Sequence, residues 1–458
     1  MLVIISDLHF QDTEIDPELS NIIKVDRNIS PKAFHHFFSD IAELSKQNEA
    51  TEVIFVLAGD IFDLNRSNKW FIENIRPYTN EQIALGSPLD MVVTNIWQGI
   101  LNNNLETQQI FISVANLANT DNVLQTNYGK IEFRKNIDIK FDYIPGNHDR
   151  LVNLSKTLQA NICGLLNMNL PQGSTFRHKL IMDKYGVFIR HGHEYDGQNF
   201  AQKLNPEDLQ HENKINEDSY KEPTIGDGAT IDLASAIAYN FGNAYKNEII
   251  NGANIPNTRS TYRELYQKLL EFDDVRPMSE LINWIEYGID GDAKEAWKAI
   301  DKVFMSIIEH WRDDPFLKNK ISLIKLTYSK VMTYLRIWDS KDIIRNLVGG
   351  VEKDKSSEFA YYESMTFSKI NIANICYIVY GHTHDPKVEF IRAEGDVEMF
   401  SFDTGTWRKR IKKCKDKRSF CWAKMLTYVV FYNKDEDKER KKVMPYSFDV
   451  WNGLTKKM

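Results

Sequence analysis

The chain has 458 residues, a formal net charge of −7, and 42% hydrophobic against 26% charged residues. Its length suits two or three domains, or one large domain with an insertion, and its near-average composition excludes collagen-like, mucin-like and wholly disordered chains. No apolar run approaches the roughly 18 residues of a membrane helix. The four scattered cysteines (Cys163, Cys376, Cys414, Cys421) form no CxxC pair, which argues against a disulfide scaffold and a thiolate metal site. The start, MLVIISDLHF, carries no basic leader or small-residue cleavage site, so the expectation is a cytoplasmic protein.

In chain order, Leu2–Ser6 is an apolar run of strand length, and Val53–Ala58 is another. Between them Ser30-Pro31 reads as an N-cap and first helical turn, after which Phe34, Phe37, Phe38, Ile41 and Leu44 share one helical face. Helical stretches near Met91–Leu101 and Leu105–Leu117 form a small insertion between Leu64 and Asp138. A third strand runs into Tyr143-Ile144-Pro145-Gly146. Lys179–Met182 and Val187–Arg190, joined by Asp183-Lys184-Tyr185-Gly186, read as a hairpin. From about Gly197 to Ile370 the spacing turns helical, at Leu265, Leu269, Leu270, then Ile282, Ile285, Tyr287, then Val303, Ile307, Ile308, punctuated by Asn251-Gly252 and Gly349-Gly350. Strand-like patterning resumes at Ile375–Tyr380, Val388–Ile391, Glu398–Phe402 and Thr427–Tyr432. The expected organisation is one α/β domain in two parts, 1–196 and 371–458, interrupted by a helical insertion over 197–370.

Charge is uneven. From Arg408 onward there are 16 Lys and Arg against 6 Asp and Glu, whereas 197–370 holds 22 basic and 28 acidic residues. The basic tract Arg408-Lys409-Arg410-Ile411-Lys412-Lys413-Cys414-Lys415 is either a phosphate or nucleic-acid contact or a cover for acidic surface on the insertion. Trp284, Trp297 and Trp311 sit at helical spacing and read as core rather than base-stacking platforms.

The chemistry gathers at strand ends. Asp7-Leu8-His9, Gly59-Asp60-Ile61-Phe62-Asp63, Gly146-Asn147-His148-Asp149, His191-Gly192-His193 and Gly381-His382-Thr383-His384 each come after an expected strand, where open α/β sheets present ligands. Six of the eleven histidines lie in these five pieces, which takes the pattern well beyond a chance Asp-x-His. Carboxylate, imidazole and amide together suit Mn²⁺, Fe or Zn²⁺. Two ions about 3.5–4 Å apart form a clamp for in-line displacement at phosphorus, and the glycine beside Asp60 permits a close approach.

This set resembles the calcineurin-like metallophosphoesterase superfamily, with all five motifs present in order over about the first 195 residues and Ile375–Arg408. The resemblance implies a four-layer α/β/β/α sandwich, here interrupted by the large helical insertion read from the spacing, and a centre of two divalent ions, Mn²⁺ foremost. Asp7, His9, Asp60 and His384 would hold one ion; Asp60, Asn147, His191 and His382 the other. His148 would protonate the leaving oxygen and Asp63 would orient it. His193 and Asp149 would stand behind the ligands, Asp149 closing its turn. Leu64 and Asp149 stand where protein serine/threonine phosphatases carry Arg and Glu, so that branch is disfavoured. The wording is closer to repair nucleases and bacterial phosphodiesterases, although about 190 residues separate His191 from His382. The implied activity is hydrolysis of a P–O bond by a metal-bridging hydroxide. A phosphodiester in nucleic acid or a nucleotide-like molecule is the preferred substrate. A small-molecule phosphomonoester or pyrophosphate beneath a helical lid is the alternative, and a non-catalytic scaffold a third reading. Arg66, Arg150 and Arg408 are expected phosphate contacts.

Overall fold

A computed structural model of the chain describes residues 1–12, 15–25, 27–117, 122–211, 214–323, 355–369, 375–395, 397–437 and 446–453. The Gly349-Gly350 punctuation lies outside them. In chain order the strands begin with β1 (Leu2–Ile5), β2 (Phe10–Gln11), β3 (Glu52–Ala58), β4 (Phe62–Asp63), β5 (Val123–Thr126) and β6 (Gly129–Glu132). Then come β7 (Asp138–Ile144), β8 (Lys179–Met182), β9 (Val187–Arg190), β10 (Tyr377–Tyr380) and β11 (Lys387–Glu394). The last are β12 (Val397–Asp403), β13 (Lys409–Lys413), β14 (Phe420–Lys424), β15 (Thr427–Tyr432) and β16 (Ser447–Asn452).

The fold is mixed α/β, built on two five-stranded sheets ordered β16-β15-β1-β3-β7 and β11-β12-β10-β9-β8. In the first, β1, β3 and β7 are parallel, with Leu2 opposite Ile54 and Val53 opposite Ile139, and β15 runs antiparallel to β1. Strands buried on both faces need apolar residues at every position, which is why LVII and TYVVFY show no alternation. Val3, Ile5, Phe55, Leu57 and Val430 point into a core with Phe34, Phe37 and Phe38 of the helix Pro31–Gln47. That helix starts where expected: Ser30 accepts from the Lys32 N–H and Pro31 occupies the first turn. The alternate residues Leu2, Ile4, Val56, Ala58 and Phe431 meet Val187, Ile189, Tyr377, Val379 and Phe402 of the second sheet in a shared core. The far face of that second sheet, Phe188, Ile378 and Tyr380, packs on Phe359 and Phe367 of the helix Ser356–Lys369.

Strands β9 and β10 pair in parallel, Tyr377 opposite Val187, although the helical segment separates them in sequence. The two ends of that segment therefore leave from neighbouring strands. Its helices before Ser356 build a second core, in which Phe241, Leu265, Leu269, Trp284, Trp297, Ile300 and Trp311 are buried, joined by Leu19 and Ile23 and by Ile411 and Phe420 from β13 and β14. The basic tract is thus a hairpin strand rather than a free tail: Ile411 is fully buried and pairs with Trp422. Charge hid the strand, because only one of five residues in KRIKK is apolar. The hairpin β5–β6 also escaped sequence reading. Among the described residues no helix is long and apolar enough to cross a membrane.

Candidate metal centre

All five turns that carry the candidate ligands meet at the carboxyl ends of β1, β3, β7, β9 and β10. Asp7, His9, Asp60, His382 and His384 each have a positive φ, between 45° and 70°, a conformation that costs non-glycine residues energy and persists only when the surroundings enforce it. Backbone bonds enforce it here. The Asp7 N–H donates to the Gly59 carbonyl at 3.0 Å, His9 to Asp60 at 2.9 Å, Trp407 to Asp7 at 3.1 Å and Gly381 to His191 at 2.8 Å. Two glycines let the turns touch. A Cβ on Gly59, whose φ is +90°, would lie 2.3 Å from His191 Nδ1, and one on Gly381 would lie 2.2 Å from Ser6 Oγ.

Three groups of side chains converge, each with candidate ligand atoms within 4.8 Å of one another: Asp7, His9 and His384; His9, Asp60 and His148; and Asp60, His191 and His382. Within the first, His384 Nε2 is 3.3 Å from Asp7 Oδ1 and 3.0 Å from His9 Nε2. Asp60 Oδ2 lies between the outer groups, 3.2 Å from His191 Nε2 and 3.8 Å from His9 Nε2. In each residue one atom is engaged and another left over. Asp7 Oδ2 accepts from the Ser6 hydroxyl and the His382 N–H, leaving Oδ1. Asp60 Oδ1 accepts from the His148 N–H at 2.8 Å, leaving Oδ2. His191 Nδ1 donates to the Ala58 carbonyl at 2.9 Å, His9 Nδ1 faces Asp63 Oδ2 at 3.3 Å, and both Nε2 atoms point inward. Holding the outer ring nitrogen in this way sets the tautomer that a metal requires. Asn147 Nδ2 donates to Asn199 Oδ1 at 3.3 Å, leaving its carbonyl oxygen. Asp7 Oδ1, Asn147 Oδ1 and His191 Nε2 are all buried without a hydrogen-bond partner. Buried polar atoms are rarely left so, and three at one place fit a cation that takes their lone pairs.

The charges agree. Burial opposes ionisation at both Asp60 and His191, yet their attraction wins: His191 holds the Asp60 carboxyl well below the usual range, and Asp60 lifts His191 to about 10. His9 is raised too, burial being outweighed by Asp63 and Asp7. Burial dominates at His384 and takes it well below the ordinary histidine value. Without a metal Asp60 thus draws a proton onto His191, and a divalent cation would replace that proton.

The other expected site residues divide. His148 Nδ1 lies 2.9 Å from Asp63 Oδ1, and its ring stands edge-on to His9 with centroids 4.8 Å apart. Asp63 therefore spans His148 and His9. Asp149 accepts from the Gly146, Ile61 and Phe62 N–H groups and ties the second and third turns together, while burial beside Asp60 raises it to about 6. His193 falls outside all three groups; its ring centroid is 5.3 Å from that of His191, and burial pushes it down to about 3. Asn147 is flanked by Gly146 and His148, both of which touch Asp60.

The arginines depart from expectation. Arg150 is buried, donating to the carbonyls of Thr79 and Pro77 at 2.9 and 3.0 Å and to that of Lys221. Arg66, 1% exposed, pairs with Asp273 and reaches the Leu270 carbonyl. Both clamp connecting segments instead of meeting a phosphate. Arg408 does reach the site's edge, 3.4 Å from Asp63 Oδ2, but Asp274 holds it at 2.8 Å and it is 3% exposed. The tract beyond it covers acidic groups: Lys409 on Glu271, Arg410 and Lys412 on Asp385, Lys413 on Glu280.

Sequence reading missed Asp196, whose Oδ2 lies 3.2 Å from His382 Nε2, its partner Asn199, and Arg276, whose Nη2 lies 3.1 Å from His384 Nδ1. Asp196-x-x-Asn199 comes just after His193 and was open to notice; nothing local marks Arg276. No family model matches the chain, and no match was found among curated proteins.

Proposed function

We propose that the chain is a metal-dependent phosphoesterase of the calcineurin-like metallophosphoesterase superfamily, hydrolysing a P–O bond. The observation that carries the reading is the set of unpartnered, buried ligand atoms, Asp7 Oδ1, Asn147 Oδ1 and His191 Nε2, beside Asp60 Oδ2 at the strand ends. The four-layer α/β/β/α arrangement belongs to the reading, supported by the core that the two sheets share and the helices on their outer faces. Asp7, His9, Asp60 and His384 would hold one divalent ion, and Asp60, Asn147, His191 and His382 a second. The mixture of imidazole, carboxylate and amide suits Mn²⁺, with Fe or Zn²⁺ as alternatives. Bound there, such ions supply Lewis acidity and a water acidified towards hydroxide. His148, oriented through Nδ1 by Asp63, gives a proton to the departing oxygen through Nε2, so that ester and water become acid phosphate and alcohol. The scattered free thiols favour a reducing, cytoplasmic setting.

A phosphodiester is the substrate class argued from the motif wording. The basic tract adds nothing to it, since Lys409, Arg410, Lys412 and Lys413 are engaged by Glu271, Asp385 and Glu280. A small-molecule phosphomonoester or pyrophosphate is the second reading, favoured by Arg276 of the helical insertion, which stands over His384. Hydrolysis of an aryl phosphodiester and the matching monoester by Mn²⁺-loaded protein, with Asp60→Asn as blank, separates them. Turnover of neither by protein that also takes up no divalent ion, or activity that survives in Asp60→Asn, sinks the phosphoesterase reading; turnover of neither with metal bound points to a pyrophosphate.

A further inference from the structure

Arg276 is the cation nearest the candidate ligands that no carboxylate holds. Its backbone is fixed: the N–H donates to the Ile411 carbonyl at 2.8 Å, and Val275 bridges Ile411 in parallel. This seats the insertion on the basic hairpin and brings the guanidinium over His384. Nη1 donates to the carbonyls of Asp273 and Val275, the latter at 3.0 Å. Nearby arginines are neutralised, Arg66 by Asp273, Arg408 by Asp274 and Asp63, Arg410 by Asp385. Among the described residues no carboxylate forms an ion pair with Arg276.

The contact with His384 has a tautomer condition. A neutral imidazole carries one N–H, and a guanidinium has only donors. Arg276 donating to His384 Nδ1 places the imidazole proton on Nε2. Yet Nε2 is the atom that faces Asp7 and His9. If Nε2 gives its lone pair to a cation, the proton resides on Nδ1. Nη2–H and Nδ1–H would then oppose each other across 3.1 Å, donor against donor. Loading the centre therefore frees Nη2, within a few ångströms of where the phosphoesterase reading puts an anionic group.

We infer that Arg276 is a phosphate-binding residue of this site, held on His384 in the metal-free protein and released to a phosphoryl oxyanion when the centre is loaded; the inference rests on the phosphoesterase reading. A guanidinium suits the task because its fork meets two oxygens of one phosphoryl group.

The test compares full-length wild type, Arg276→Ala and Arg276→Lys after loading with Mn²⁺, using inorganic phosphate as the probe. Bound Mn²⁺ per chain is measured by elemental analysis and phosphate affinity by calorimetry. Unchanged metal content with phosphate affinity about tenfold or more weaker in Arg276→Ala, and partly restored in Arg276→Lys, supports the inference. On the aryl ester, KM should rise more than kcat falls. Equal phosphate affinity in all three proteins overturns it. So does a loss of Mn²⁺ in Arg276→Ala, which would make Arg276 a positioning residue for His384. Should Arg276→Ala fail to fold, Arg276→Gln, which keeps a neutral donor, takes its place under the same criteria. Wild type that takes up no divalent ion and cleaves neither aryl substrate overturns the phosphoesterase reading and this inference together. An active wild type with an indifferent Arg276→Ala overturns the inference alone.

Discussion

Two charged clusters lie side by side in this molecule, and they are built on opposite rules. At the strand ends, Asp7, Asn147 and His191 use one polar atom for support and keep another without a partner, beside Asp60, His9 and His384, and several of these residues are on strained backbone. At the junction of the insertion with β13, Arg66, Arg408, Lys409, Arg410 and Lys413 are matched to Asp273, Asp274, Glu271, Asp385 and Glu280. The first cluster has bonding capacity left over; the second has closed on itself. Charge density in sequence does not distinguish them, and the distinction decides which can bind something.

The sharpest way to break the comparison is Asp60→Asn. Removing the carboxylate that lies between the two outer groups should abolish both bound Mn²⁺ and ester hydrolysis, read by elemental analysis and a chromogenic assay. His148→Ala should leave metal content intact and lower turnover by about 10²–10⁴-fold, the range for a lost general acid. The defect should shrink on esters with good leaving groups, and full activity on a poor leaving group would refute the assignment.

Across the junction the readout changes from activity to stability. Arg66→Met removes one of the two arginines on Asp273, which Arg408 still reaches at 3.5 Å, and losing such a largely buried charged partner costs about 1–3 kcal/mol. Denaturant titration should show that loss while Mn²⁺ binding persists. A phosphate-affinity defect without destabilisation would return Arg66 to the site.

His178 supplies a pH test behind the centre. It stacks on Tyr220 at 3.7 Å, accepts from Asn153 through Nε2, and is lowered to about 4, chiefly by burial. Unfolded, it titrates near 6.5. The fold therefore favours neutral imidazole, so its contribution is complete above pH 6.5 and disappears as pH falls towards 4. The loss is on the order of 3 kcal/mol at about 1.36 kcal/mol per unit. Unfolding free energies measured across that window should lose this acid-side slope in His178→Gln. The smallest effect belongs to Lys412→Ala: its pair with Asp385 is exposed on both sides, so stability should move by no more than about 1 kcal/mol. Ester hydrolysis should not change, and a marked loss would revive the basic tract as a substrate contact.

The amino-acid sequence by itself determined the strands that carry the centre and the side chains that converge there. LVII, EVIFVLA and TYVVFY are buried on both faces, and an apolar run of that length has few other fates. Ser30-Pro31 with its phenylalanine face declares a helix in the same local way. Asp7, His9, Asp60, Asn147, His148, His191, His382 and His384 could be named because each lies just past such a run, and parallel strands bring the turns at their carboxyl ends to one edge. Tertiary structure alone decided the fate of the arginines. Whether Arg66, Arg150 or Arg408 meets a phosphate or a carboxylate depends on Asp227, Asp273 and Asp274, about 80 to 210 residues away in the chain. It also decided that KRIKK would be a strand, because Ile411 finds the core of the insertion. Arg276 shows the limit most clearly: nothing in Val-Arg-Pro marks it, and its place over His384 comes from the pairing of Val275 and Arg276 with Ile411. Burial patterns are written locally, because period and length encode them. The partners of a charge are not, because any carboxylate the fold brings close will serve.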